Sequence, residues 1–214
     1  MSTQLNYINL DILEGQLARG EHLDDLYRLD GRKFPHWDVL LSYKMCPDPD
    51  LQQRWAACLF KLIELKAPVD ARPGLCIGSI LTSERWGPQV ELTRKLAGRY
   101  LEADYFDVNQ PLAGELPTPD GEARSGNGKM PLAAAIGFNN PDAVRFLCEN
   151  GADWDLGATC KGGQSWKALA YAQARGAGEA AAVLMEFAML ERMDAVPAPA
   201  MYATAPARIR RAGL

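Results

Sequence analysis

The chain has 214 residues, 48% of them hydrophobic and 23% charged, which is enough for a full core in one elongated domain or two small ones. Its net charge of −4 conceals an asymmetry, because the last twenty residues hold three arginines and no acid, leaving residues 1–194 with 20 basic against 27 acidic side chains. An acidic body disfavours nonspecific nucleic-acid binding, which depends on basic side chains releasing phosphate counterions, and suits a partner with a basic surface.

Cys46, Cys58, Cys76, Cys148 and Cys160 form an odd, dispersed set without a Cys-x-x-Cys pair, so neither a disulfide framework nor a zinc knuckle is expected. No basic-then-apolar leader opens the chain at Met1, and no apolar run approaches the roughly 18 residues of a membrane span. The expectation is a reduced, cytoplasmic protein, monomeric when free, with no cofactor.

In chain order, Asp11 with Glu14 predicts a helix start running through Leu17, with Gly20 as its stop, and His22 to Leu29 a second short helix; together they read as an N-terminal capping pair. A helical stretch over Val39 to Tyr43 meets Cys46-Pro-Asp-Pro-Asp50, where two prolines end one helix and Asp50 with Gln53 is expected to begin the next. Trp55, Cys58, Leu59, Leu62 and Ile63 then recur at i, i+3, i+4, i+7 and i+8, a stripe that must face a core. A short helix over Leu75 to Leu81, the break Gly87-Pro88 and the row Leu92, Leu96 and Tyr100 repeat the arrangement, closed by Asp107-Val108-Asn109.

Residues 111–127 have no periodicity and many turn formers, which predicts a long loop between units. The next pair has consistent local signals: Asn140 as cap, Pro141 as first helical residue, Asp142 beside the positive helix end, and Gly151 as left-handed stop. A last unit is expected to start at Gln164-Ser165-Trp166, break at Gly176 and continue with Ala180, Val183, Leu184, Phe187 and Ala188 on one side. From Ala195 the chain is rich in Pro and Ala, so residues 195–214 read as a flexible basic tail on a domain of residues 1–194.

Helix pairs this small cannot bury both faces alone and imply stacked neighbours. Pro131-Leu132 with Ala134-Ala135, then Ala143-Val144-Arg145-Phe146-Leu147-Cys148-Glu149-Asn150-Gly151-Ala152-Asp153, resembles the repeat of the ankyrin family. Lys167 to Ala172, Gly176 and Glu179 to Glu186 resemble that family's terminal repeat, while 38–70 and 75–109 resemble it only in helix pattern and endings such as Ala67-Pro68-Val69-Asp70. The chain departs from the family where Met130 and Ala133 replace the favoured Thr and His, whose hydrogen bonds cap the first helix and tie repeats together. The closing positions 70, 109 and 155 lie 39 and 46 residues apart, against about 33 in the family, so the units carry insertions.

The resemblance implies an all-α fold, a helix-turn-helix solenoid of about four to five units, and a non-enzymatic module that binds a protein partner through its concave face and loop tips. An inhibitor, such as an immunity protein neutralising a basic toxin or effector, is favoured over an adaptor or scaffold. The expected anchors are aromatic, cationic or polar residues near helix starts and turn tips: Tyr43, Lys44, Trp86, Phe138, Asn139, Lys161 and Trp166. Enzymatic chemistry by a thiol at Cys160 or by paired carboxylates is the competing class, and no nucleophile, base and orienting group stand at suitable spacing. His22 and His36, with no Cys or acid at ligand spacing, read as structural or surface residues rather than metal ligands.

Overall fold

The computed structural model describes residues 10–20, 36–67, 77–82, 86–87, 89–112, 115–116, 124–125, 129–158 and 165–194. These are mostly helical: α1 (Leu10–Arg19), α2 (His36–Met45), α3 (Pro49–Glu64), α4 (Ile77–Thr82), α5 (Val90–Glu102), α6 (Pro131–Gly137), α7 (Pro141–Glu149), α8 (Ala168–Arg175) and α9 (Gly178–Asp194). Two small antiparallel strand pairs join them, β1 (Glu115–Leu116) with β2 (Arg124–Ser125), and β3 (Asp155–Ala158) with β4 (Ser165–Lys167).

The helices begin and end where local chemistry dictates. In α3 the cap is Asp48 rather than the expected Asp50: its carboxylate accepts from the backbone N–H groups of Asp50 and Leu51, and Pro49 occupies the first turn, where a missing N–H costs nothing. The expected stripe of Trp55, Cys58, Leu59, Leu62 and Ile63 is buried along this helix. Asn140 caps α7 by accepting from the Ala143 N–H at 3.1 Å. Met130, which precedes α6 in extended conformation, supplies no side-chain cap. Gly20 and Gly176 take left-handed backbone (φ 65° and 66°) at the stops the sequence predicts.

Helices α2 and α3, α6 and α7, and α8 and α9 pack as sequential pairs. The first helices of the pairs touch one another in the order α2, α4, α6, α8, and the second helices touch in the order α1, α3, α5 and then α7, α9. One apolar core runs from Leu10, Leu13 and Leu17 through Leu59, Leu96, Leu132 and Leu147 to Val183 and Leu184.

Two expectations change. Segment 111–127 is more than a loop: Glu115 pairs with Ser125 and Leu116 with Arg124, and the Leu112 N–H donates to the Lys129 carbonyl at 2.8 Å, closing the neck of the insertion. The last unit opens not directly on a helix but on strand β4, which the sequence analysis does not anticipate: Ser165 and Lys167 both bond to Asp155 across the ribbon and hold this stretch extended, and α8 begins at Ala168. His22, Cys76, Cys160, Lys161 and residues 195–214 lie outside the described residues.

Candidate functional site

Of the expected partner anchors, Tyr43 and Trp86 are corrected to core residues. Tyr43 is 1% exposed, and its hydroxyl bonds to Thr93 Oγ1 at 2.7 Å, linking α2 to α5. Trp86 is 4% exposed; its indole N–H donates to the Leu81 carbonyl at 2.8 Å and its ring packs against Phe146. Neither can reach a partner, because each fills the space between consecutive units. Lys44 is half-buried on α2. Lys161 lies outside the described residues.

Asn139 is half-buried, and its side-chain oxygen is engaged within the fold. Its backbone is left-handed (φ 49°), a conformation that Asn tolerates better than most residues, and its Oδ1 accepts from the N–H groups of both Glu179 and Ala180 at 3.1 Å. It therefore caps α9 from the preceding helix pair. Phe138 beside it is half-buried with Leu112 and Ala134 in a small cluster separate from the main core. The whole run Pro131 to Ile136 is buried, with Leu112 packed on Ala134, so this part of the first-helix row is closed to a partner. Gly78 makes this seat possible: a Cβ there would lie 2.9 Å from Leu112 Cδ2.

Trp166 remains half-buried on the β3–β4 ribbon, edge-on to Tyr171. Around this ribbon the turn tips carry carboxylates in an ordered relay. Asp107 accepts from the Asn109 N–H (2.7 Å), Asn109 Oδ1 from the Asp153 N–H (2.7 Å), Asp153 from the Asp155 N–H (2.8 Å), and Asp155 from the Gly157 N–H (3.2 Å). Asn109 also donates to the Gly151 carbonyl at 3.0 Å, so one side chain locks two units together. The Lys167 ammonium, with the Gly157 N–H and the Ser165 hydroxyl, holds the Asp155 carboxyl below its ordinary range. Asp107, Asp153 and Asp155 are exposed.

The second-helix row is stitched by ion pairs. Arg54 on α3 reaches Asp11 and Glu14 on α1; Arg94 on α5 meets Glu149 on α7 at 2.7 Å; Arg145 on α7 meets Glu186 on α9 at 2.6 Å. The α3/α5 junction differs. Among the described ion pairs none crosses it; Lys61–Glu64 and Arg99–Glu102 each close within their own helix. Among the described hydrogen bonds, the two helices are tied at their ends, by Gln89 Nε2 donating to the Pro49 carbonyl and by the Tyr105 hydroxyl donating to the Ala67 carbonyl. Between those ties lies a groove of about 750 Å³, with Ala57, Phe60 and Gly98 at its apolar part. Gly98 sits inside α5, and a Cβ at this position would meet nothing. An interior helical glycine costs about 1 kcal/mol relative to alanine, and the fold offers no packing reason for it.

No family model matches the chain, and no curated protein and no solved structure matches it. The chemistry must therefore be argued from the residues. Burial pushes the Cys58 thiol up to about 12, which leaves it an inert core group rather than a nucleophile. His36 is fully buried, accepts or donates one hydrogen bond with the Tyr100 hydroxyl at 2.8 Å, and lies edge-on to Tyr105. Burial lowers its imidazole to about 4, with the Ala67 carbonyl opposing part of that shift. A neutral, enclosed imidazole of this kind cements α2, α5 and the turn after α3; it has no access to a substrate. Sequence reasoning found neither the relay nor the α3/α5 groove, because the link from Asn109 to Asp153 spans 44 positions and the groove joins two helices far apart in the chain.

Proposed function

We propose that this chain is an ankyrin-like, non-enzymatic module that binds a protein with a basic surface, acting as an inhibitor of that partner. The observation that carries the reading is the ordered acidic relay at the turn tips, Asp107 to Asn109 to Asp153 to Asp155, flanked by the half-buried Trp166. Pre-positioned carboxylates beside an aromatic residue match the usual anatomy of a charge-steered interface. Support for ankyrin-like stacking comes from the two rows of helix contacts and from side chains, Asn109 and Asn139, that bond from one unit to the next. The partner surface in this reading is the row of tips rather than the first-helix row, whose Pro131 to Ile136 are buried.

The test is affinity capture from the native host with in situ cross-linking, followed by association kinetics of the captured protein. Asp153→Lys with Asp155→Lys should slow association at least tenfold and flatten its salt dependence. Association that is indifferent to both charge reversal and salt, or a captured partner with an acidic surface, would overturn the reading.

A further inference from the structure

We infer that the outer side of α9 is a self-association surface, on which a second copy of this chain docks its own α9 antiparallel to the first. Helix α9 closes the second-helix row among the described residues, packed on α7 and α8, and the end helix of a stacked array ordinarily turns a polar side to water. This one does not. Of the six large hydrophobic side chains exposed among the described residues, three belong to α9: Met185 at 42%, Met189 at 62% and Leu190 at 56%. Met185 and Met189 share one stripe with Gly178 and Ala182, at steps of 4, 3 and 4 residues, the interval at which helical positions fall on one side, and all four are exposed.

The order of sizes along the stripe names the occupant. From the start of α9 it runs Gly178, Ala182, Met185, Met189, so an antiparallel copy sets Met189 against Gly178 and Met185 against Ala182, large into small at every contact. A parallel copy would oppose methionine to methionine and leave glycine facing glycine. The twofold arrangement closes on itself as an isologous dimer, with knobs from each helix entering the gaps of the other. A stripe shaped for an unrelated helix would have no need to complement itself. Gly178 supports the fit independently: a Cβ there would meet nothing, so its own fold gives no reason for the missing side chain, whereas an opposed methionine needs the room. Glu186, at the edge of the stripe, is closed on Arg145 at 2.6 Å and brings no uncompensated charge to the contact. The stripe is about 16 Å long at roughly 1.5 Å per residue, and a contact of that length buries on the order of 1,000 Å² in total, the low end for specific association. The dimer therefore forms at micromolar concentration and separates on dilution, which confines the expected free monomer to dilute solution.

This surface lies apart from the turn tips, and its test does not depend on them. Sedimentation velocity of the full chain from about 1 µM to about 500 µM should show one monomer–dimer equilibrium with a midpoint on the order of 10–100 µM. Met189→Glu, a change at a position open to water in the monomer, should weaken the dimer at least tenfold. Gly178→Leu, whose circular dichroism should match the parent, fills the gap and should weaken it by as much. Adding Met189→Ala to Gly178→Leu puts a small residue opposite the new large one and should recover at least fivefold, a rescue that only the antiparallel register explains. A dimer indifferent to Met189→Glu or to Gly178→Leu, a double variant no tighter than Gly178→Leu alone, or assemblies that grow beyond two copies would each overturn the proposal. So would a monomer at every concentration, and if its Met185 and Met189 then resist peroxide oxidation, another segment of the same chain covers the stripe.

Discussion

Between Pro131 and Glu149 the core is hydrocarbon apart from the buried Asn140 cap, with Leu132, Ile136, Val144 and Leu147 at 0–1% exposure, whereas between His36 and Tyr105 the same depth holds an imidazole, a threonine and two tyrosine hydroxyls. The stability of the α6–α7 pair rests on area removed from water plus the Asn140 cap. The block of α2, α3 and α5 is joined instead by hydrogen bonds between residues 50 and 64 positions apart. Apolar contacts tolerate small shifts in geometry. Buried polar pairs do not, since leaving one member unsatisfied costs more than the bond contributes.

The comparison can be broken most directly in the apolar half. Leu147→Ala should lower stability by roughly 2–5 kcal/mol in urea titration, with no dependence on pH between 4 and 7. The polar half should show the reverse signature. His36 titrates near 4 when folded and near 6.5 when exposed, so the unfolded chain takes up the proton first. Its contribution is complete above about pH 6.5 and is lost as the pH falls through the window to about 4, a difference of about 3 kcal/mol. Denaturation at pH 7 and pH 4.5 should separate parent from His36→Gln, which is expected to lose this part of the slope; an unchanged slope would remove His36 as its source.

A smaller effect is expected at the link between the last two pairs. Asn139→Ala should cost about 2 kcal/mol, from the lost cap on α9 together with left-handed strain, while Asn139→Gly retains the backbone and should cost about 1 kcal/mol. Equal losses would mean that strain plays no part. The smallest change is a gain: Gly98→Ala should raise stability by up to about 1 kcal/mol, visible as a higher melting temperature, because no neighbouring atom opposes the added methyl.

Much of the helical framework was legible because its signals are local. The stripe Trp55 to Ile63, the caps at Asn140 and the stops at Gly20 and Gly176 are all read within one or two turns of chain. The strand β4 has no signal in its own residues, since the bonds of Ser165 and Lys167 that hold it extended go to Asp155, ten or more residues earlier. Tyr43 and Trp86 were placed at a surface for the same reason: periodicity identifies a helix face but not the neighbour that covers it. Asn139 looked like a free polar tip because its partners, Glu179 and Ala180, lie 40 and 41 residues away. The α3/α5 groove has no local signature apart from Gly98 inside a helix.

The chain of amide-to-side-chain bonds through Asp107, Asn109, Asp153 and Asp155 has one more consequence. No tip can swing outward without releasing the backbone N–H of the next, so the spacing of these carboxylates is set during folding, like graduations on a ruler. A surface measured out in advance has little freedom left to surrender on contact, and lengthening any one of these turns by a single residue would throw all the later marks out of register.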